Sequence, residues 1–179
     1  MKQIFTLFIV AVFTMNAFAQ QKIFIQIQNI PGESTDANHH GWIDAYAYSG
    51  GMTTNVSRQS GGTSVSKAYF SDYVFTICLD RSVNPMKIAQ ASAKLIPTVI
   101  IELSKLVGGN PKVYSKIELT DVLITGLNEG ATSDINKTTF NVSYSYAKIK
   151  TSYFLIDPAT GLPTAQASFS WDVVNNKAY

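Results

Sequence analysis

Alternation of apolar and polar residues runs through most of the chain and predicts a protein built mainly of β-strands. Near the start, Ile23, Ile25 and Ile27 alternate with Phe24 and two glutamines. This first strand is expected to bury its isoleucines and turn a more polar face outward. The same period of two predicts further strands at residues 42–48, 73–79, 99–106, 113–124, 140–156 and 167–171. In the strand at 42–48 both faces carry large side chains, so we expect both to be covered.

A change of period in the middle of the chain predicts one helix. Asn84 is placed as an N-cap would be, with Pro85 at the first helical position. Met86 and Ala89 then follow at helical spacing. The pattern therefore predicts about three helical turns over residues 85–94, between two strands.

Polar stretches separate the strands. Residues 52–66 are rich in Ser, Thr, Gly and Asn, and predict a long hairpin or loop. Such a segment is unusual inside a compact domain and is a candidate for binding or assembly. Residues 126–136 read as a second polar loop. Many antiparallel strands with frequent turns favour a closed barrel or a sandwich, with the helix at one end.

The first nineteen residues have the pattern of an export signal. Lys2 supplies a positive start, residues 4–13 form an apolar run, and a small-x-small motif ends at Ala19. The apolar run is too short to span a bilayer comfortably, which favours a cleaved signal over a membrane anchor or a buried helix. Cleavage between Ala19 and Gln20 would leave a mature chain without a membrane-length apolar run.

Composition limits the classes of function. The chain has 179 residues, so residues 20–179 suffice for one domain with a real core. Its 14 basic and 12 acidic residues give a net charge of +2, which is not the basic footprint of a nucleic-acid-binding protein. Cys78 is the only cysteine, so an intrachain disulfide is excluded, and its thiol is expected to be packed and inert.

No pattern in the sequence indicates catalysis or a cofactor. His39 and His40 are adjacent, so on an extended chain they point to opposite sides and a shared metal is not expected. A nucleophile elbow and a phosphate-binding glycine loop are both missing. Four carboxylates lie in or beside strands: Asp44, Glu102, Glu118 and Asp121. Nothing in their spacing indicates that any two converge, so solvated strand faces are favoured over a glycosidase-like pair, and no enzyme is predicted.

Tyrosines leave one alternative open. A monomeric, exported β-sandwich could display their rings to a carbohydrate or a peptide, and would then be a binding module. The tyrosines concerned are Tyr46, Tyr48, Tyr144 and Tyr146. Packing in a core or an interface is the commoner use of such side chains. A hydrolytic alternative would need Asp44 or Glu102 beside a second carboxylate in one cleft.

Several segments, taken in order, resemble the Hcp family (haemolysin-coregulated protein), the tube protein of type VI secretion. They are HHGWIDAYAYSGG at residues 39–51, YSKIELTDVLI at 114–124, NVSYSYAKI at 141–149 and FSWDVVNNKAY at 169–179. The resemblance covers nearly all of residues 22–179. It implies a mainly β protein, an antiparallel β-barrel of two sheets with one short α-helix.

The resemblance also implies an assembly. Six such subunits form a ring, and rings stack into a hollow tube that carries or delivers secreted effectors. The family's extended loop helps rings stack and corresponds here to residues 50–65. Its residues singled out for stacking are Gly50, Gly51, Arg58, Gln59 and Val65. Typical members lack a signal peptide, so residues 1–19 point to an exported relative that assembles in the periplasm or outside the cell.

Overall fold

The computed structural model describes residues 21–132, 137–157 and 159–179, apart from the side chains of residues 132 and 164–166. The predicted signal over residues 1–19, with its cleavage between Ala19 and Gln20, lies outside the described residues. That prediction therefore remains a prediction.

Strands dominate the described chain, and one short helix interrupts them. The first seven strands are β1 (Lys22–Ile27), β2 (Ile43–Ser49), β3 (Met52–Thr53), β4 (Val56–Gln59), β5 (Gly62–Val65), β6 (Tyr69–Phe70) and β7 (Tyr73–Cys78). The helix α1 (Val83–Ala91) follows. The remaining strands are β8 (Ile96–Val107), β9 (Asn110–Thr132), β10 (Lys137–Ile156), β11 (Pro163–Asp172) and β12 (Lys177–Ala178).

Six strands close into an antiparallel barrel. Their order is β10, β7, β2, β1, β8, β9, and β9 pairs again with β10 to close the circle. Strand β10 is long enough to serve two sheets: its first part pairs with β7 and its last part with β11. The predicted mainly β barrel with one short helix is confirmed.

The core fills the barrel because alternate residues of each strand point inward. Ile23, Ile25 and Ile27 are buried there, as the alternation predicts. Phe24 is different: it points to the opposite side of β1, yet it is only 2% exposed. The expectation of a more polar outer face on β1 is therefore wrong at Phe24, because a loop covers its ring.

Helix α1 begins two residues earlier than the sequence pattern predicts. Ser82, not Asn84, is the N-cap, and its carbonyl accepts a hydrogen bond from the Met86 amide at 3.0 Å. Pro85 lies in the first turn rather than at the first position, and this is tolerated because amides there have no acceptor within the helix.

The helix also ends at Ala91, earlier than the predicted residue 94. Ala93 has φ of 48°, in the left-handed region, and the Lys94 amide donates to the Ala89 carbonyl at 2.8 Å. These features terminate a helix in the manner of a Schellman motif. Three of its residues, Val83, Met86 and Ala89, are buried and join the core of the barrel.

Two further expectations are wrong. The polar loop predicted at 126–136 is strand as far as Thr132, because β9 continues in register with β10; residues 133–136 lie outside the described residues. Much of this extension is exposed, so its sequence lacks apolar alternation. The prediction that both faces of β2 are covered is also wrong for the single chain, because Tyr46 is 60% and Tyr48 39% exposed.

Candidate assembly surfaces

Strands β4 and β5 form a hairpin that stands apart from the barrel. Residue pairs run from Val56 opposite Val65 to Gln59 opposite Gly62. Every residue from 51 to 67 is exposed, so the hairpin buries no side chain of its own. A lone two-stranded hairpin is marginally stable in water at best. Of the two forms predicted for this polar segment, a hairpin or a loop, the structure shows the hairpin.

Hydrogen bonds attach the base of the hairpin to the start of β7. A short ladder joins β3 to β6 just below it. The Ser71 amide donates to the Gly51 carbonyl at 2.9 Å, and the Gly51 amide donates to the Ser71 hydroxyl at 3.0 Å. These bonds hold the direction in which the hairpin leaves the barrel.

The two faces of the hairpin differ in chemistry. Directly opposed residues share a face, so Val56 and Val65 lie side by side, and they are 52% and 63% exposed. Ser57 and Ser64 lie opposite each other on the other face. The segment is polar for most of its length, and the strand pairing gathers its two valines into one patch.

The predicted stacking residues Arg58 and Gln59 lie near the tip of the hairpin, next to the turn at residues 60–61. Arg58 and Lys67 are the charged residues of the segment from 50 to 68, so the hairpin is cationic. Both are exposed, and neither forms an ion pair with any carboxylate that the structure describes.

A second feature, which sequence reading missed, lies on the outer wall of the barrel. His39 is 3% exposed and is bracketed by two carboxylates, with Nδ1 3.0 Å from Asp36 Oδ1 and Nε2 3.0 Å from Glu102 Oε2. The ring can donate to both only as the imidazolium. Asp36 lies three residues away and offers a local signal, but Glu102 is 63 residues away and only folding brings it there.

The groups around this site shift the pKa of Asp36. Burial raises the pKa of Asp36, but the hydrogen bonds from His39 and from the Asn38 amide outweigh burial and hold the pKa below its usual value. Lys22 Nζ lies 3.7 Å from the same carboxylate and acts in the same direction.

The imidazole also packs against aromatic rings. It stacks on Phe24 with ring centroids 3.9 Å apart and planes at 6°, and Trp42 meets its edge at 4.9 Å. His39 therefore fastens the loop between β1 and β2 to the barrel wall and buries Phe24. His40, its neighbour in sequence, is exposed.

Of the carboxylates considered for hydrolysis, Asp44 lines an open cleft of about 500 Å³, and the second carboxylate in that cleft is Asp36. Asp44 and Glu102 lie on the strands either side of Phe24, which pairs with both. The Phe24 ring and the His39 ring above it fill the space between the two. Glu118 is paired with Lys116 at 3.2 Å, and Asp121 is exposed. In the cleft, Asp36 is already held by His39 and Lys22, so its pairing with Asp44 does not favour the hydrolytic alternative.

The four tyrosines do not form one binding surface. Tyr144 and Tyr146 are buried in the core, where burial raises the pKa of both hydroxyls well above the ordinary value. Tyr46 and Tyr48 are exposed on β2. The alternative in which all four display their rings therefore fails, and the favoured packing in a core holds for Tyr144 and Tyr146.

Two absences apply to the described ranges only. In residues 21–132, 137–157 and 159–179, no three His, Cys, Asp or Glu side chains are grouped as metal ligands would be. Over the same ranges, no helix has the length and hydropathy needed to cross a bilayer. Cys78 is a free, partly exposed thiol, and its contact with the Tyr46 hydroxyl raises the pKa of that tyrosine.

Solved structures first show the fold. The fold matches a structure described as that of a type six secretion system protein, with a TM-score of 0.82, 21% identity and coverage of 89% of this chain and 100% of the other. It matches the crystal structure of Hcp1 from Salmonella typhimurium with a TM-score of 0.74, 23% identity and coverage of 89% and 99%. At these identities the likeness shows a common fold.

Sequence comparison then shows the family. A family model described as "Type VI secretion system effector, Hcp" matches residues 24–153. Protein hcp1 of Pseudomonas aeruginosa is 31% identical over 132 residues, which are 73% of this chain and 82% of that protein. The chain belongs to the Hcp family of type VI secretion proteins, a family of structural, secreted tube proteins rather than of enzymes. The resemblance noted in the sequence is confirmed.

Proposed function

We propose that this chain is a non-enzymatic structural subunit that assembles into hexameric rings, and that the rings stack into a hollow tube able to carry secreted effectors. Membership of the Hcp family supports the assembly. The observation that carries the proposal is the hairpin of β4 and β5, which is exposed over its whole length and gains order by lying against another copy.

Five residues of the hairpin segment, which spans 50–65, are the ones that we assign to stacking. Gly50 and Gly51 set its direction, Arg58 and Gln59 supply polar groups near its tip, and Val65 supplies apolar surface. A contact between different surfaces of identical subunits closes into a ring or continues as a stack, depending on its rotation.

Residues 20–179 would form the single mature domain, and residues 1–19 would direct export to the periplasm or beyond. The described part of the mature chain is one barrel with a shared core, which supports a single domain. The signal itself is supported by the sequence alone.

The mass of the mature chain in solution tests the ring. Residues 20–179 are purified and measured by size exclusion with light scattering over a wide range of concentrations. A sixfold mass is expected, with stacks visible by electron microscopy at high concentration. A monomer over the whole range would contradict the proposal.

Removal of the hairpin tests stacking independently of ring formation. A variant in which a short turn replaces residues 54–67 keeps the barrel, because those residues contribute nothing to its core. We expect this variant to keep the sixfold mass and to lose stacking. Stacks as long as those of the parent chain would contradict the role assigned to the hairpin.

A further inference from the structure

The hairpin and helix α1 lie at opposite ends of the barrel. The hairpin segment leaves from the end of β2 and returns to the start of β7. Helix α1 follows the far end of β7 and leads into the start of β8. Strand β7 has six residues, so roughly 20 Å separates its two ends. The hairpin therefore leaves the barrel at the end away from its own helix, and a copy stacked head to tail would present its helix end there.

An apolar groove lies at the helix end. The groove has a volume of about 200 Å³ and runs between α1, the start of β8 and the turn after β1. On its rim Ile88 is 68% and Leu95 52% exposed, and Ile30 and Ile96 lie buried beside them. Exposed aliphatic side chains grouped in this way mark a surface that another molecule covers.

The exposed valines of the hairpin match this groove in chemistry and position. Val56 and Val65 form a two-residue apolar patch on one hairpin face, and that patch stands at the other end of the molecule from the groove. We infer that, in the proposed tube, Val56 and Val65 of one subunit dock into the groove lined by Ile88 and Leu95 of a subunit in the next ring. This inference rests on the proposed function and adds the receiving surface, which the sequence did not indicate.

Charge decides which part of the hairpin enters. Lys94 lies at the groove, and Arg58 lies two residues beyond Val56 towards the tip. Arg58 shares the valine face of the hairpin, and two cations would repel, so the valine pair docks with Arg58 extending past the groove, away from Lys94. Because the contact is then mainly apolar, added salt should not dissociate the stacks, whereas a contact led by Arg58 would weaken as salt screens it.

Cross-linking of rings tests the docking directly. In a Cys78→Ser background, rings of a Val65→Cys variant are mixed with tagged rings of an Ile88→Cys variant and oxidised. We expect a covalent dimer of one tagged and one untagged chain, because the two cysteines meet across the ring boundary. Rings of a Ser64→Cys variant serve as the matched control, since Ser64 is the neighbouring residue on the opposite hairpin face.

A second pair of variants tests the energy of the contact. Val56→Thr with Val65→Thr keeps β-branched side chains in the hairpin but adds hydroxyls to the docking face, and stacking should weaken roughly tenfold or more. Ser57→Thr with Ser64→Thr changes the other face and should leave stacking as it is.

The outcomes separate this inference from the function on which it rests. A parent chain that stays monomeric overturns both. Rings that form but do not stack overturn the docking and leave the ring in place. The same conclusion follows if rings stack but the Val65→Cys and Ile88→Cys pair gives no more cross-linked product than the Ser64→Cys control. Stacks that dissolve as salt rises also overturn the apolar docking.

Discussion

The ring of Tyr73 lies directly against the backbone of Gly50, so closely that a Cβ atom at Gly50 would come within 2.7 Å of Tyr73 Cδ1. Tyr73 is buried and stacks with Tyr48 and Phe75, so it has little room to move. Gly51, the next residue, has open space around it. The two glycines at the base of the hairpin segment are thus present for different reasons.

Gly50→Ala should destabilise the chain by about 1–3 kcal/mol, because the added methyl group overpacks against a buried ring. Gly51→Ala is the matched control and should change stability by less than about 0.5 kcal/mol. Urea unfolding of both variants measures the difference. Equal stabilities for the two would show that Tyr73 can yield to the methyl group.

His39→Ala should destabilise the chain by about 2–4 kcal/mol. Loss of the imidazole removes the contacts of His39 with Asp36 and Glu102 and uncovers the Phe24 ring. His40→Ala removes the adjacent, exposed histidine and should be nearly neutral. Thermal unfolding compares the two variants, and similar losses would contradict the role of His39 as the fastening of this loop.

Asp36→Asn should show a loss of stability that depends on pH. The folded state holds the pKa of Asp36 below its usual value of 3.8, so the ionised carboxylate contributes stability above that pH and loses it as the pH falls through the folded value. The variant should be about 1–2 kcal/mol less stable than the parent at neutral pH, and the gap should close in acid.

Urea unfolding from neutral pH down to about pH 3 measures this gap. Asp44→Asn is the control, because Asp44 is exposed on the neighbouring strand β2. A gap for Asp36→Asn that stays constant over the whole range would mean that charge at this position does not stabilise the fold.

Export should remove residues 1–19. When the full chain is produced in a Gram-negative host, N-terminal sequencing of the exported protein should begin at Gln20. Ala19→Pro should block cleavage and cause the precursor to accumulate, while Gln21→Ala should be processed normally. An uncleaved parent chain starting at Met1 would refute the signal peptide.

Much of the fold follows from local patterns. Alternation in β1, β7 and β10 predicts which residues face the core, because a period of two leaves one face apolar in any sheet. Local signals misplace the ends of α1 and the end of β9. Those boundaries depend on left-handed backbone at Ala93 and on pairing with β10, neither of which a single segment of sequence specifies.

The sequence by itself determined the alternating strands, the single helix, the polar hairpin and the family, because each depends on neighbouring residues or on their order. Only the tertiary structure decided which distant residues meet. Glu102 reaches His39 through the pairing of β1 with β8, and Val56 meets Val65 through the hairpin register. It also placed the groove beside Ile88 at the end of the barrel opposite the hairpin, since closure of the barrel fixes both ends at once.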